Sequence, residues 1–86
     1  MQVQVTTVNN QIGLRARDAT IFVHKANEFS SSIHIKYNGK LVNGKSLLGV
    51  LSASILGGAQ ITIYADGTDE IDAIRELSEL VECSFY

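Results

Sequence analysis

Proline is missing from all 86 positions, and cysteine occurs once, at Cys83. A lone thiol excludes a disulfide within the chain and fits a reducing compartment. The lack of proline assigns nothing by itself. No apolar run approaches the roughly 20 residues that cross a bilayer. The opening stretch, Met1-Gln2-Val3-Gln4-Val5, has neither the basic region nor the apolar core of a signal peptide. Charge of one sign is scarce too: seven Lys and Arg stand against nine Asp and Glu, a net −2. That balance excludes the basic footprint of a nucleic-acid binder, and no block of like charge stands out. No set of His, Cys, Asp or Glu has metal-ligand spacing, and no paired acids form a catalytic motif. The expectation is a cytoplasmic protein with no cofactor, no metal, no direct nucleic-acid contact and no membrane contact.

What is present is a foldable composition. Hydrophobic residues make up 45% of the chain, which is not a disordered composition. The length fits one domain, residues 1–86.

Gln2 to Thr7 alternates, with Val3 and Val5 on one side and Gln2, Gln4 and Thr6 on the other, the mark of a half-buried strand. Asn9-Asn10-Gln11 and Gly13 read as a loop. From Ala16 to Phe29 the apolar residues Ala19, Phe22, Val23, Ala26 and Phe29 fall at helical spacing. Ile33, Ile35 and Tyr37 alternate with Ser32, His34 and Lys36 as a second strand. Asn38-Gly39 is a strong hairpin signal, so Lys40 to Val42 pairs antiparallel with it. Ser46 to about Ala53 reads as a short helix with Ser46 as its N-cap. Gln60 to Ala65 is a fourth strand, with Ile61, Ile63 and Ala65 on one face. Thr68 caps a last helix, Asp69 and Glu70 suit its first turn, and Ile71, Ile74, Leu77 and Val81 form its buried stripe. The order β-α-β-β-α-β-α predicts an α+β domain, an antiparallel sheet with helices on one face.

The short middle helix, Ser46-Leu47-Leu48-Gly49-Val50-Leu51, is apolar almost all round. A surface helix buries one stripe only. Some of Leu47, Leu48 and Leu51 therefore stay exposed as a docking surface, unless neighbouring loops cover them.

Two segments carry a resemblance. Gly13-Leu14-Arg15-Ala16-Arg17-Asp18-Ala19 resembles the active-site motif of the HPr family, Gly-(Ile/Leu)-His-Ala-Arg-Pro-Ala. Asn38-Gly39-Lys40 with Lys45-Ser46-Leu47-Leu48-Gly49-Val50-Leu51 resembles that family's regulatory-serine motif. The likeness continues through Gly58-Ala59-Gln60-Ile61-Thr62-Ile63 and Gly67-Thr68-Asp69-Glu70, in register over nearly the whole chain. It implies the HPr open-faced β-sandwich, four antiparallel strands with three helices on one face. In that family a histidine takes a phosphoryl group from enzyme I of the sugar phosphotransferase system and passes it to sugar-specific proteins. In Gram-positive bacteria a serine kinase also phosphorylates the serine, and that form binds catabolite control protein A.

The motif departs from the family at two positions. Arg15 stands at the histidine position. A neutral imidazole offers a lone pair to phosphorus, whereas a guanidinium stays protonated and offers none. Arg15 therefore cannot act as a reversible phosphoryl carrier. His24 and His34 read as surface residues far from the motif. Asp18 stands at the proline position; it suits a helix's first turn but repels an incoming phosphate. Two departures in one motif imply a remodelled centre. Arg15 and Arg17 can hold an anion, or Asp18 can neutralise them; both readings stand.

The pattern is similar to the Crh-like members of the family, which lack the histidine, keep the serine and act only in regulation. This implies a non-enzyme phosphorylated on Ser46 by an HPr serine kinase/phosphorylase. Phosphate at a helix N-cap is tolerated there and places a dianion beside Leu47, Leu48 and Leu51. A partner regulator of the catabolite control protein A type would read it with arginines, with Arg17 part of the docking surface. The rival reading is a docking module that binds phosphotransferase-system proteins unphosphorylated and competes with genuine HPr. The chain is expected to be a monomer, with exchange of its first strand as the family's route to a homodimer.

Overall fold

Four strands and three helices follow one another in the expected order: β1 (Gln2–Thr7), α1 (Ala16–Ala26), β2 (Ser32–Tyr37), β3 (Lys40–Asn43), α2 (Leu47–Ser52), β4 (Gln60–Asp66) and α3 (Glu70–Cys83). The structure, a computed structural model, describes residues 1–9 and 16–83. The strands form one antiparallel sheet in the order β1-β4-β2-β3. The β2–β3 hairpin turns at Asn38 and Gly39, with φ of 52° and 82°. Two consecutive positive φ values match the twist of the paired strands, and Asn-Gly is the pair that adopts them cheaply.

Period-two alternation in β2 and β4 sends Ile33, Ile35, Ile61, Ile63 and Ala65 to the helix-covered face, where all are buried. Ala19, Phe22 and Ala26 of α1, Val50 of α2 and Ala73, Leu77 and Val81 of α3 close over them. This is the α+β architecture, helices on one face of an antiparallel sheet, that the element order predicts.

Four details differ from the sequence reading. In β1 the phase is inverted: Val3 and Val5 are 51% and 53% exposed, while Thr6 is buried. Side-chain hydrogen bonds to α3 explain it. Thr6 Oγ1 donates to Glu82 Oε1 at 2.6 Å, and Gln2 Nε2 meets Glu70 Oε2 at 3.5 Å. Helix α1 ends at Ala26, before Phe29, because the backbone tightens to Glu28 N–Lys25 O and Phe29 N–Ala26 O bonds. Phe29 still packs against the core from the loop.

On α3, Ile71 is 65% exposed and Ala73 is buried instead. The helix starts at Glu70, so Asp69 rather than Thr68 stands just before it. The Asp69 carboxylate crosses to the start of β2, accepting from the N–H groups of Ser30 (2.8 Å) and Ser31 (2.9 Å) and from the Ser31 hydroxyl. Thr68 Oγ1 lies 3.2 Å from Ser30 Oγ. No helix among the described residues is long and apolar enough to cross a membrane.

Candidate functional site

The segment between β3 and α2 presents Ser46. Gly44 begins it, and its N–H donates to Ile33 O at 2.7 Å. A Cβ at this position would come within 2.7 Å of Ile33 Cγ2, so only glycine lets the chain pass this close to β2. Asn43 Oδ1 then accepts from Lys45 N at 2.9 Å, and Ser46 N donates to Asn43 O at 3.1 Å. These bonds fold the chain back in an Asx turn.

Ser46 is extended, with φ −107° and ψ 117°, and its Oγ accepts from Gly49 N at 3.1 Å. Its carbonyl takes the first helical bond, from Val50 N at 3.0 Å. That is full N-cap geometry, as the sequence predicts. The side chain is partly exposed. Beside it, Leu47 is 37% and Leu48 81% exposed, while Val50 points into the core and Leu51 packs partly against it. Among the three leucines expected to dock, Leu48 and Leu47 are the outward ones.

A latch that the sequence did not reveal holds this segment to the end of α1. Lys45 Nζ donates to Phe29 O at 2.6 Å. Asn27 Nδ2 donates to both Val23 O (2.8 Å) and Lys45 O (3.2 Å). The cation thus sits on a carbonyl of the loop that follows α1. Nothing in the spacing of residues 16 or 18 apart announces such a pairing.

Arg17 is exposed on the first turn of α1, and its neighbour Asp18 is buried. Arg15 lies outside the described residues, and with it the geometry of the expected anion pair. His24 is exposed on α1, its Nδ1 3.8 Å from Glu28 Oε2. His34 lies on the sheet face turned away from the helices.

This arrangement offers a hydroxyl at a helix start, an apolar surface beside it and a scaffold that fixes both. A family model described as the PTS HPr component phosphorylation site, from the phosphotransferase system, matches residues 3–83. The chain belongs to the HPr family.

Solved HPr-type proteins match along nearly the full length. HPr-C-His from Thermoanaerobacter tengcongensis is 38% identical, with a TM-score of 0.95 over 99% of this chain and 96% of that one. The phosphocarrier protein HPr of Bacillus anthracis is 39% identical, with a TM-score of 0.90 over 93% and 95%. Crh of Bacillus subtilis, a catabolite-repression protein, is 36% identical, with a TM-score of 0.79 over 100% and 99%; it is a dimer with swapped parts. The fold is therefore the HPr/Crh-like fold of the phosphotransferase system, and HPr and Crh are not enzymes. The Crh likeness supports a regulatory role.

Proposed function

We propose that this HPr-family chain is a regulator without phosphocarrier activity, switched by phosphorylation of Ser46. The enzyme would be a serine kinase of the HPr type. The phosphorylated form would act in carbon catabolite regulation by binding a transcription regulator of the catabolite control protein A type. The observation that carries this reading is Ser46 itself: an N-cap hydroxyl, partly exposed, next to the outward Leu48. Phosphate there joins an N-terminal helical turn that tolerates negative charge. The fold can stay as it is while the surface changes from apolar to apolar plus dianion, which arginines of a partner would grip.

Arg15, at the position that the resemblance gives to histidine, supports the lack of carrier activity. Guanidinium has no lone pair to accept and return a phosphoryl group. Arg17, exposed on α1, would join the docking surface.

A second reading rests on Leu48, which is 81% exposed with Ser46 unmodified. The chain would then dock unphosphorylated on phosphotransferase-system proteins and compete with genuine HPr.

Intact-mass measurement after two parallel incubations separates these readings. One incubation holds phosphoenolpyruvate and enzyme I, the other ATP and an HPr serine kinase. We expect one phosphate from the kinase only, absent in Ser46→Ala. Phosphate from enzyme I would overturn the regulator reading. No phosphate from either would leave the docking module as the better account.

A further inference from the structure

The sheet face turned away from the helices has no described element over it. Two rows of side chains cross it. Register places Val3, Tyr64, His34 and Asn43 side by side in one, and Val5, Thr62, Lys36 and Leu41 in the next. Met1, Val3, Val5 and Leu41 are all exposed. A groove of about 480 Å³ runs among Met1, His34, Lys36, Gly39, Leu41 and Tyr64. Apolar side chains thus stand at both edges of this face, Val3 and Val5 on β1 and Leu41 on β3, with Tyr64 and Lys36 between them, more than the exposure of a single scattered residue.

Charge and size select what covers it. The chain carries net −2, yet Lys36 and His34 occupy the middle of this face. They are two residues apart on β2, roughly 7 Å. Asp66 stands at one end, where its carboxylate lies 3.7 Å from the Met1 amine. A second copy stacked face to face about a two-fold axis through the middle of the face would bring the two Lys36 side chains together, a juxtaposition of like charges that opposes association. The face is also small. Four strands about 4.8 Å apart and four to seven residues long present on the order of 400 Å², about half of what each partner buries in a stable globular complex.

We propose that this open face docks an acidic polypeptide segment of a partner protein. Aliphatic or aromatic side chains of the segment sit over Val3, Val5 and Leu41, and its carboxylates meet Lys36 and His34. Ser46 and α2 lie at the helical layer, so the two surfaces can be occupied at the same time. The assignment does not depend on phosphorylation of Ser46.

The test is a titration of the full-length ¹⁵N-labelled chain with a terminally blocked Leu-Glu-Phe-Glu-Leu peptide, followed by amide chemical shifts. We expect saturable shifts at Val3, Val5, His34, Lys36, Leu41 and Tyr64. Lys36→Glu, at an exposed position, should keep the urea midpoint and weaken binding by about tenfold. Leu41→Ser should weaken it as well, and a peptide with lysines in place of glutamates should not bind. No saturable shift, shifts confined to α1 and α2, or equal binding of the lysine peptide would each overturn the proposal. So would a concentration-dependent dimer, seen by sedimentation, that Lys36→Glu strengthens.

Discussion

At the scale of single residues, the geometry of Ser46 depends on a residue without a side chain. Gly44 lies so close to β2 that a methyl group there would overlap Ile33 Cγ2 at 2.7 Å. Gly44→Ala must push either the Asn43–Ser46 turn or the buried Ile33 out of place. The expected cost is about 1–3 kcal/mol, as for other overpacked sites, read as a lower urea midpoint. Because the displaced segment includes Ser46, phosphate uptake from an HPr-type serine kinase, if Ser46 is its target as proposed, should fall along with stability. The glycine is visible in the sequence, where Asn43-Gly44 follows the third strand. Its closeness to Ile33 is not, since that depends on how β2 and the turn meet in space. The N-cap role of Ser46 was legible because it is local: a serine, then an apolar run. The Lys45–Phe29 and Asn27–Lys45 contacts were not, because they join segments from either side of β2.

At the scale of elements, strands β2, β3 and β4 were legible from alternation and from the Asn38-Gly39 turn. In β1 the alternation was correct and its phase was not. Hydropathy assigns Val3 and Val5 inward, but α3 supplies acceptors to the other side. Thr6 Oγ1 reaches Glu82 Oε1, and Gln2 reaches Glu70. A polar row with partners in α3 can take the covered face and leave the valines to the open one. A pair of variants distinguishes the two phases. Val5→Asp should cost no more than about 1 kcal/mol, the range of strand propensity on an open face. Thr6→Asp buries a carboxylate beside Glu82 and should cost about 3 kcal/mol or more. Urea denaturation of both would give the reverse order if Val5 faced the helices. The same logic applies to Ile71, whose helical spacing placed it in the buried stripe. The stripe instead runs through Ala73, Leu77 and Val81, because α3 turns its smallest apolar residue toward the sheet.

At the scale of the whole molecule, Asp69 links the start of α3 to the entry of β2 across 38 residues of chain. The Ser31 hydroxyl first, then the Ser30 N–H, hold its carboxyl at about 2, below the ordinary 3.8. A carboxyl depressed in the folded state stabilises the fold only while it is ionised. Its contribution is complete above 3.8 and is lost as pH falls toward 2. Glu70 is lowered as well, by the Gly67 N–H first and then by the N-terminal amine, so it acts in the same direction. The urea midpoint should therefore drop as the pH is taken from 4 to 2. Asp69→Asn should be less stable at neutral pH and show a shallower drop, with the remaining slope carrying the Glu70 share. An unchanged slope in Asp69→Asn would remove Asp69 as a source of acid sensitivity.

The latch around Lys45 has a consequence for recognition. A loop that is loose in the free protein must lose conformational freedom when it is bound, and that loss subtracts from affinity. Here the Asn43–Ser46 segment is already fixed by Gly44 N–H on Ile33 O, by its own Asx turn, and by Lys45 and Asn27 at the end of α1. A partner that reads Ser46, as proposed, would meet a shape it does not have to create, so little ordering cost would be subtracted from its affinity.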